Sequence, residues 1–141
     1  MVHHSAGKYG NIEFLQKVHR ERTNDPIYAI AYHFIIGNGN GLADGEIDSD
    51  IRRKYHIWGS HISAKNLDRN VRGLGICLIG NFEEESVTDK QYKSLVALTL
   101  QLMNEYSISP KNVTGHGFTP GESTKCPGKR FPMEKFLADI A

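Results

Sequence analysis

Apolar positions along the chain follow two rhythms, one helical and one extended. From Asp89 to Tyr106, the residues Tyr92, Leu95, Val96, Thr99, Leu102, Met103 and Tyr106 share one helical face, which predicts an amphipathic helix. Thr88-Asp89-Lys90-Gln91 opens it as a capping box, with Thr88 as N-cap and Gln91 reaching back. A second helical pattern covers Asn11 to Asn24 through Ile12, Leu15, Val18 and His19, and a short helix is expected from Met133 to Ile140. Elsewhere the pattern is extended. Leu74 to Ile79 is a continuous apolar run between Gly73 and Gly80, as a central buried strand requires. Ile27 to Ile36 is rich in β-branched and aromatic residues and predicts another strand. Asn38-Gly39-Asn40-Gly41 then marks a turn, with Leu42 and Ala43 starting the return strand of a hairpin. Glu46 to Tyr55 has no clear period and reads as a loop with at most one helical turn. A first strand opens at Val2, Val113-Thr114 forms a short strand, and Pro127 to Pro132 is a turn-rich loop. Strands interleaved with helices, with a hairpin inside the order, predict an α/β fold: a single-domain mixed β-sheet covered by helices.

Length and charge narrow the function classes. A chain of 141 residues suits one domain, residues 1–141, with a real core. Its net charge of +1 offers no basic footprint for nucleic acid. There is no apolar run of membrane-spanning length, and the start lacks the charged-then-apolar pattern of a secretory leader. The two cysteines do not form a disulfide framework. Cys77 lies in the apolar run and is expected to pack as a small hydrophobe. Cys126 precedes Pro127-Gly128 in a polar loop, which suits a metal thiolate.

Chemistry gathers at three distant positions. His3 in Val2-His3-His4-Ser5-Ala6, His116 in Thr114-Gly115-His116-Gly117, and Cys126 in Thr124-Lys125-Cys126-Pro127-Gly128 offer two imidazoles and a thiolate. Such a set suits Zn²⁺, and three protein ligands leave the fourth tetrahedral position open, as in hydrolytic rather than structural sites. His3 and His4 point to opposite faces of a strand, so only one of them can readily join the set.

The sequence around these residues resembles the zinc-dependent N-acetylmuramoyl-L-alanine amidases, the group that includes bacteriophage T7 lysozyme and the peptidoglycan recognition proteins. The resemblance runs through nearly the whole chain. It begins with Val2-His3-His4-Ser5-Ala6 and Ala31-Tyr32-His33-Phe34-Ile35-Ile36-Gly37. Gly59-Ser60-His61 with Asn66, and Gly73-Leu74-Gly75-Ile76-Cys77-Leu78-Ile79-Gly80-Asn81-Phe82, follow in family order before the two ligand motifs. Family members carry further strand residues before the position of Val2, so a domain trimmed at its N-terminus is expected.

The resemblance implies hydrolysis of the amide between N-acetylmuramic acid and L-alanine in peptidoglycan, by a monomer acting at the cell wall. It makes His3, rather than His4, the first ligand. It makes Tyr32 the hydrogen-bond donor to the developing oxyanion. Thr124 stands two residues before the cysteine, where T7-like members have lysine and active peptidoglycan recognition proteins have threonine. Lys125, one place later, is expected to face solvent. Members acting on anhydro-muropeptides use a glutamate where this chain has Ile79, which argues against that subgroup and leaves the proton shuttle unassigned. His61, Lys65 and Asn66 are the expected substrate-groove residues, with Lys65 where relatives read the third stem residue and Asn66 fixing the loop. His33 is expected to pack or hydrogen-bond on the far face. A peptidoglycan-binding module without chemistry is the alternative function. Relatives that have lost catalysis typically lose the cysteine ligand, so Cys126 favours the enzyme.

Overall fold

The computed structural model describes residues 1–24 and 26–141. Its sheet has four short strands: β1 (Val2–His4), β2 (Phe34–Ile36), β3 (Ile47–Ser49) and β4 (Ile76–Leu78), in the spatial order β1-β4-β2-β3. β4 runs parallel to both β1 and β2, and β3 closes the edge antiparallel to β2. The helices are α1 (Ile12–Arg20), α2 (Ile51–Lys54), α3 (Leu67–Arg72), α4 (Asp89–Glu105) and α5 (Met133–Asp139). The sheet is mixed and helix-covered, as the pattern of elements predicts. Among the described residues no helix is long and apolar enough to cross a membrane.

Strand alternation sorts the sheet residues onto two faces. Val2, Phe34, Ile36, Ile76 and Leu78 join Leu95, Leu98 and Leu102 of α4 and Met133 and Phe136 of α5 in the larger core. On the other face Ile35, Cys77 and Ile79 pack with Leu15 of α1 and Ile30. Parallel register sets His3 beside Cys77, and Cys77 beside Ile35, so His3 belongs to this second face. α4 is anchored by its cap. Gln91 donates its backbone N–H to Thr88 Oγ1 and returns its side-chain oxygen to the Thr88 N–H. Its amide nitrogen also serves the carbonyls of Ile36 and Ile79, where β2 and β4 end.

Four expectations need correction. The first helix stops at Arg20 rather than Asn24, because the Ile27 N–H returns to the His19 carbonyl and turns the chain back. The strand expected from Ile27 is regular only over Phe34–Ile36. The return strand does not start at Leu42: the hairpin pairing begins where the Gly37 N–H meets the Glu46 carbonyl, and β3 occupies part of what read as loop, while α2 is the one helical turn allowed there. Gly37 permits the tight turn, since a Cβ there would lie 2.3 Å from the Ala43 carbonyl oxygen. Finally, Val113-Thr114 forms no strand; a single bridge from Gly115 to Val2 extends the sheet instead.

Candidate metal centre

Three separate stretches of chain deliver three donors to one point. β1 carries His3, held in place by pairing with β4. The Val2 N–H donates to the Thr114 carbonyl at 2.9 Å, so the segment bearing His116 lies directly alongside β1. His116 then opens a 3₁₀ turn, His116–Phe118. The Cys126 loop docks on that turn, with the Gly117 N–H donating to the Cys126 carbonyl at 2.6 Å. Only glycine fits here, because a Cβ on residue 117 would sit 2.4 Å from the Thr124 carbonyl oxygen. One donor atom from each of His3, His116 and Cys126 lies within 4.8 Å of the others.

The donors' chemistry fits a tetrahedral cation. Ligand bonds of 2.0–2.3 Å place tetrahedral neighbours roughly 3.3–3.8 Å apart, and His3 Nδ1 is 3.7 Å from Cys126 Sγ. Each imidazole is also held from behind. His3 Nε2 pairs with His61 Nδ1 at 3.0 Å, and His116 Nε2 pairs with a carboxylate oxygen of Glu122 at 3.2 Å. Such outer partners orient metal-binding histidines and leave the other ring nitrogen, here Nδ1 in both cases, for the ion.

Burial acts on the protonation of two of the three donors. Burial first, and then the neighbouring His61 and His116, hold the His3 pKa well below its ordinary value, so its ring is neutral and able to ligate. Burial pushes the Cys126 thiol up to about 11, against the opposing hydrogen bond from the His4 N–H. A cation is what would bring that sulfur to thiolate, so metal uptake would release a proton. Burial likewise raises the Tyr32 phenol well above its usual range, which preserves its O–H as a donor. The Tyr32 ring stands 5.2 Å from that of His3.

The remaining sequence-derived residues fall in distinct places. His4 turns away, accepting the Phe82 N–H at Nδ1. His61 is 5% exposed and lies behind His3 rather than on an open groove wall. Asn66 donates to the Pro120 carbonyl and to Glu122, and Lys65 is exposed on the same turn. Thr124 Oγ1 accepts the Cys126 N–H at 3.2 Å, whereas Lys125 is exposed. Both line a cavity of about 450 Å³ beside Cys126, together with Phe118 and Lys129. A larger cavity of about 500 Å³, walled by Met1, Arg69, Leu102 and Tyr106, contains none of the three donors. His33 is bonded on both ring nitrogens, to the Gly75 N–H and the Ile57 carbonyl. Both cysteines are free thiols.

Glu122 escapes the sequence reading altogether. Its signal is slight: it is the only acidic residue between His116 and Cys126. Its side chain is 5% exposed and receives hydrogen bonds from Ser63 Oγ at 2.5 Å and Asn66 Nδ2 at 2.7 Å, besides His116. Burial alone would push its carboxyl up; the bonds from Ser63, Asn66 and His116 outweigh this and hold it below the ordinary value.

Residues 1–129 match the family model described as N-acetylmuramoyl-L-alanine amidase. The chain belongs to this amidase family. It is 32% identical over 97 residues to the 1,6-anhydro-N-acetylmuramyl-L-alanine amidase AmpD of Enterobacter cloacae, a match covering 67% of this chain and 51% of that protein. The chain thus spans about half the length of the curated relatives it matches. The solved structure of the N-acetylmuramoyl-L-alanine amidase LysC from Clostridium intestinale URNW is 33% identical with a TM-score of 0.76, covering 99% of this chain and 81% of that one. Peptidoglycan recognition protein-LE, solved in complex with tracheal cytotoxin, is 25% identical with a TM-score of 0.73 over 97% of this chain and 76% of that one. The amidase fold therefore surrounds the three-donor cluster. Ile79 is fully buried in the core beside Cys77.

Proposed function

We propose that this domain is a zinc-dependent N-acetylmuramoyl-L-alanine amidase that cleaves peptidoglycan between N-acetylmuramic acid and L-alanine. One observation carries the reading: His3, His116 and Cys126, far apart in sequence, converge within 4.8 Å inside an amidase-family fold. Zn²⁺ held by these three residues supplies Lewis acidity towards water and an amide carbonyl. The chain's own groups do the rest. Tyr32, kept protonated by burial and set against His3, donates a hydrogen bond to the carbonyl oxygen as negative charge develops there. Thr124, at the rim of the cavity beside Cys126, has a hydroxyl proton left to donate, since its oxygen accepts the Cys126 N–H. His61 and Glu122 hold the two imidazoles so that the donor set is preorganised.

The substrate class follows from the family and from neighbours whose names concern muramyl peptides. The proposal takes peptidoglycan as the partner, with the domain acting as a monomer at the cell wall. Purified sacculi incubated with zinc-loaded protein should release peptides with a new L-alanine amino terminus, identified by mass. Cys126→Ser should abolish the release together with stoichiometric zinc. Binding to sacculi without new amino termini would instead make this a recognition module. Comparing intact and 1,6-anhydro muropeptides as substrates decides between the Ile79 argument and the likeness to AmpD.

A further inference from the structure

Glu122 joins two pieces of chain, the turn before α3 and the loop that opens at His116. One carboxylate oxygen takes Ser63 Oγ and Asn66 Nδ2, from the turn preceding α3; the other takes His116 Nε2. The Asn66 amide is fixed in orientation, because its nitrogen also donates to the Pro120 carbonyl at 3.2 Å. The carboxylate is therefore surrounded by donors only, on both oxygens.

We propose that Glu122 is the positioning residue for His116, fixing the imidazole in the tautomer with hydrogen on Nε2 and so presenting a bare Nδ1 to the metal. The inference rests on the proposed metal site. A carboxylate accepts and cannot donate, so a neutral His116 must place its hydrogen on Nε2 to satisfy the pair. The hydrogen is then absent from Nδ1, the nitrogen that has to ligate. The same side chain clasps the Ser63–Asn66 turn to the ligand loop, so the two functions can be separated by choice of substituent.

Glu122→Gln separates them. Its oxygen must stay with Asn66, whose amide nitrogen can only donate and is held by the Pro120 carbonyl as well; Ser63 can keep donating to that oxygen, and the NH₂ is turned towards His116. Nε2 then has to accept, and the hydrogen moves to Nδ1. The clasp survives while the ligand nitrogen is blocked. Glu122→Ala loosens the clasp yet leaves His116 free to choose either tautomer. The inference thus predicts that Gln harms zinc binding more than Ala; a purely structural role predicts the reverse order.

The test uses the purified chain and zinc alone. Apparent zinc affinity by chelator competition should fall about 10–100-fold in Glu122→Gln and less in Glu122→Ala. The metal-free unfolding midpoint should fall in Ala and stay near wild type in Gln. Long-range proton–nitrogen NMR of the metal-free protein at pH 8 should show His116 protonated on Nε2 in wild type and on Nδ1 in Gln. Wild-type zinc affinity in Glu122→Gln, or a greater loss in Ala, overturns the proposal while leaving the metal site standing. Failure of the wild type itself to bind zinc removes the metal site and the proposal with it.

Discussion

Nε2 of His3 lies 3.0 Å from Nδ1 of His61, with the two rings edge-on at 78°. Both side chains are almost wholly buried, one on β1 and the other on the loop before α3. A residue expected on the substrate groove thus stands behind a candidate ligand. His61→Ala should therefore lower zinc affinity by about 10–100-fold and leave KM for muropeptide nearly unchanged in zinc-saturated protein. Chelator competition and steady-state kinetics read the two effects separately. A raised KM with normal zinc affinity would return His61 to the groove.

The role proposed for Tyr32 is on the reaction rather than on the ion. Tyr32→Phe removes only the hydroxyl and keeps the ring against His3 and His19. The expected loss is about 10²–10³ in kcat, the cost of one oxyanion donor, with zinc content unchanged. Near-wild-type turnover would make the tyrosine a packing residue.

The fold itself should weaken in mild acid. His19 and His33 accept backbone N–H groups at Nδ1, from Ala31 and Gly75, so protonation there sets proton against proton. Burial, as the largest cause, depresses both pKa values to about 4 from an ordinary 6.5. Between those values the unfolded chain binds more protons than the folded one, so stability is full above about pH 6.5 and falls as pH drops towards 4. Each histidine should cost about 2 kcal/mol at pH 5 relative to neutrality. Urea midpoints of metal-free protein at pH 7.5 and pH 5 measure this; equal midpoints would refute it.

Where local signals are complete, sequence and structure agree. α4 begins at its capping box and carries its apolar stripe because cap and stripe are both written within one helix. The apolar run around Cys77 becomes β4 because parallel neighbours cover both of its edges. The stretch before β2 deceives for a tertiary reason. Its residues suit a strand, yet their backbone groups find other partners: the Ala31 N–H meets His19, its carbonyl takes the Ser60 N–H, and the Ile30 carbonyl takes Arg52. The candidate ligand trio His3, His116 and Cys126 stands out in the sequence as unusual donors in ordered motifs. Glu122 is not, because its meaning depends on Ser63 and Asn66, 59 and 56 positions away, with nothing periodic linking them.

Thr124 and Lys125 provide the sharpest test of the role proposed for the Cys126 loop. Both border the cavity beside Cys126, and both are exposed, so position alone does not choose between them. Hydrogen bonding does. Thr124 Oγ1 accepts the Cys126 N–H, which ties its hydroxyl to the ligand's own backbone. Side-chain-to-backbone bonds of this kind are local and short, and they restrict the hydroxyl to the neighbourhood of residue 126. Its proton remains free to donate towards the reacting carbonyl or water. Lys125 is a flexible exposed cation whose charge is well solvated. Thr124→Ala should therefore lower kcat clearly, with some loss of zinc affinity from the freed Cys126 N–H, while Lys125→Ala should change kcat less than about threefold, under 1 kcal/mol. Thr124→Ser restores the hydroxyl and should recover most of the activity. Measuring kcat and bound zinc in all three variants settles the assignment. A larger loss in Lys125→Ala would mean that the lysine swings in to supply positive charge at the oxyanion, as T7-like relatives do from the position Thr124 occupies here.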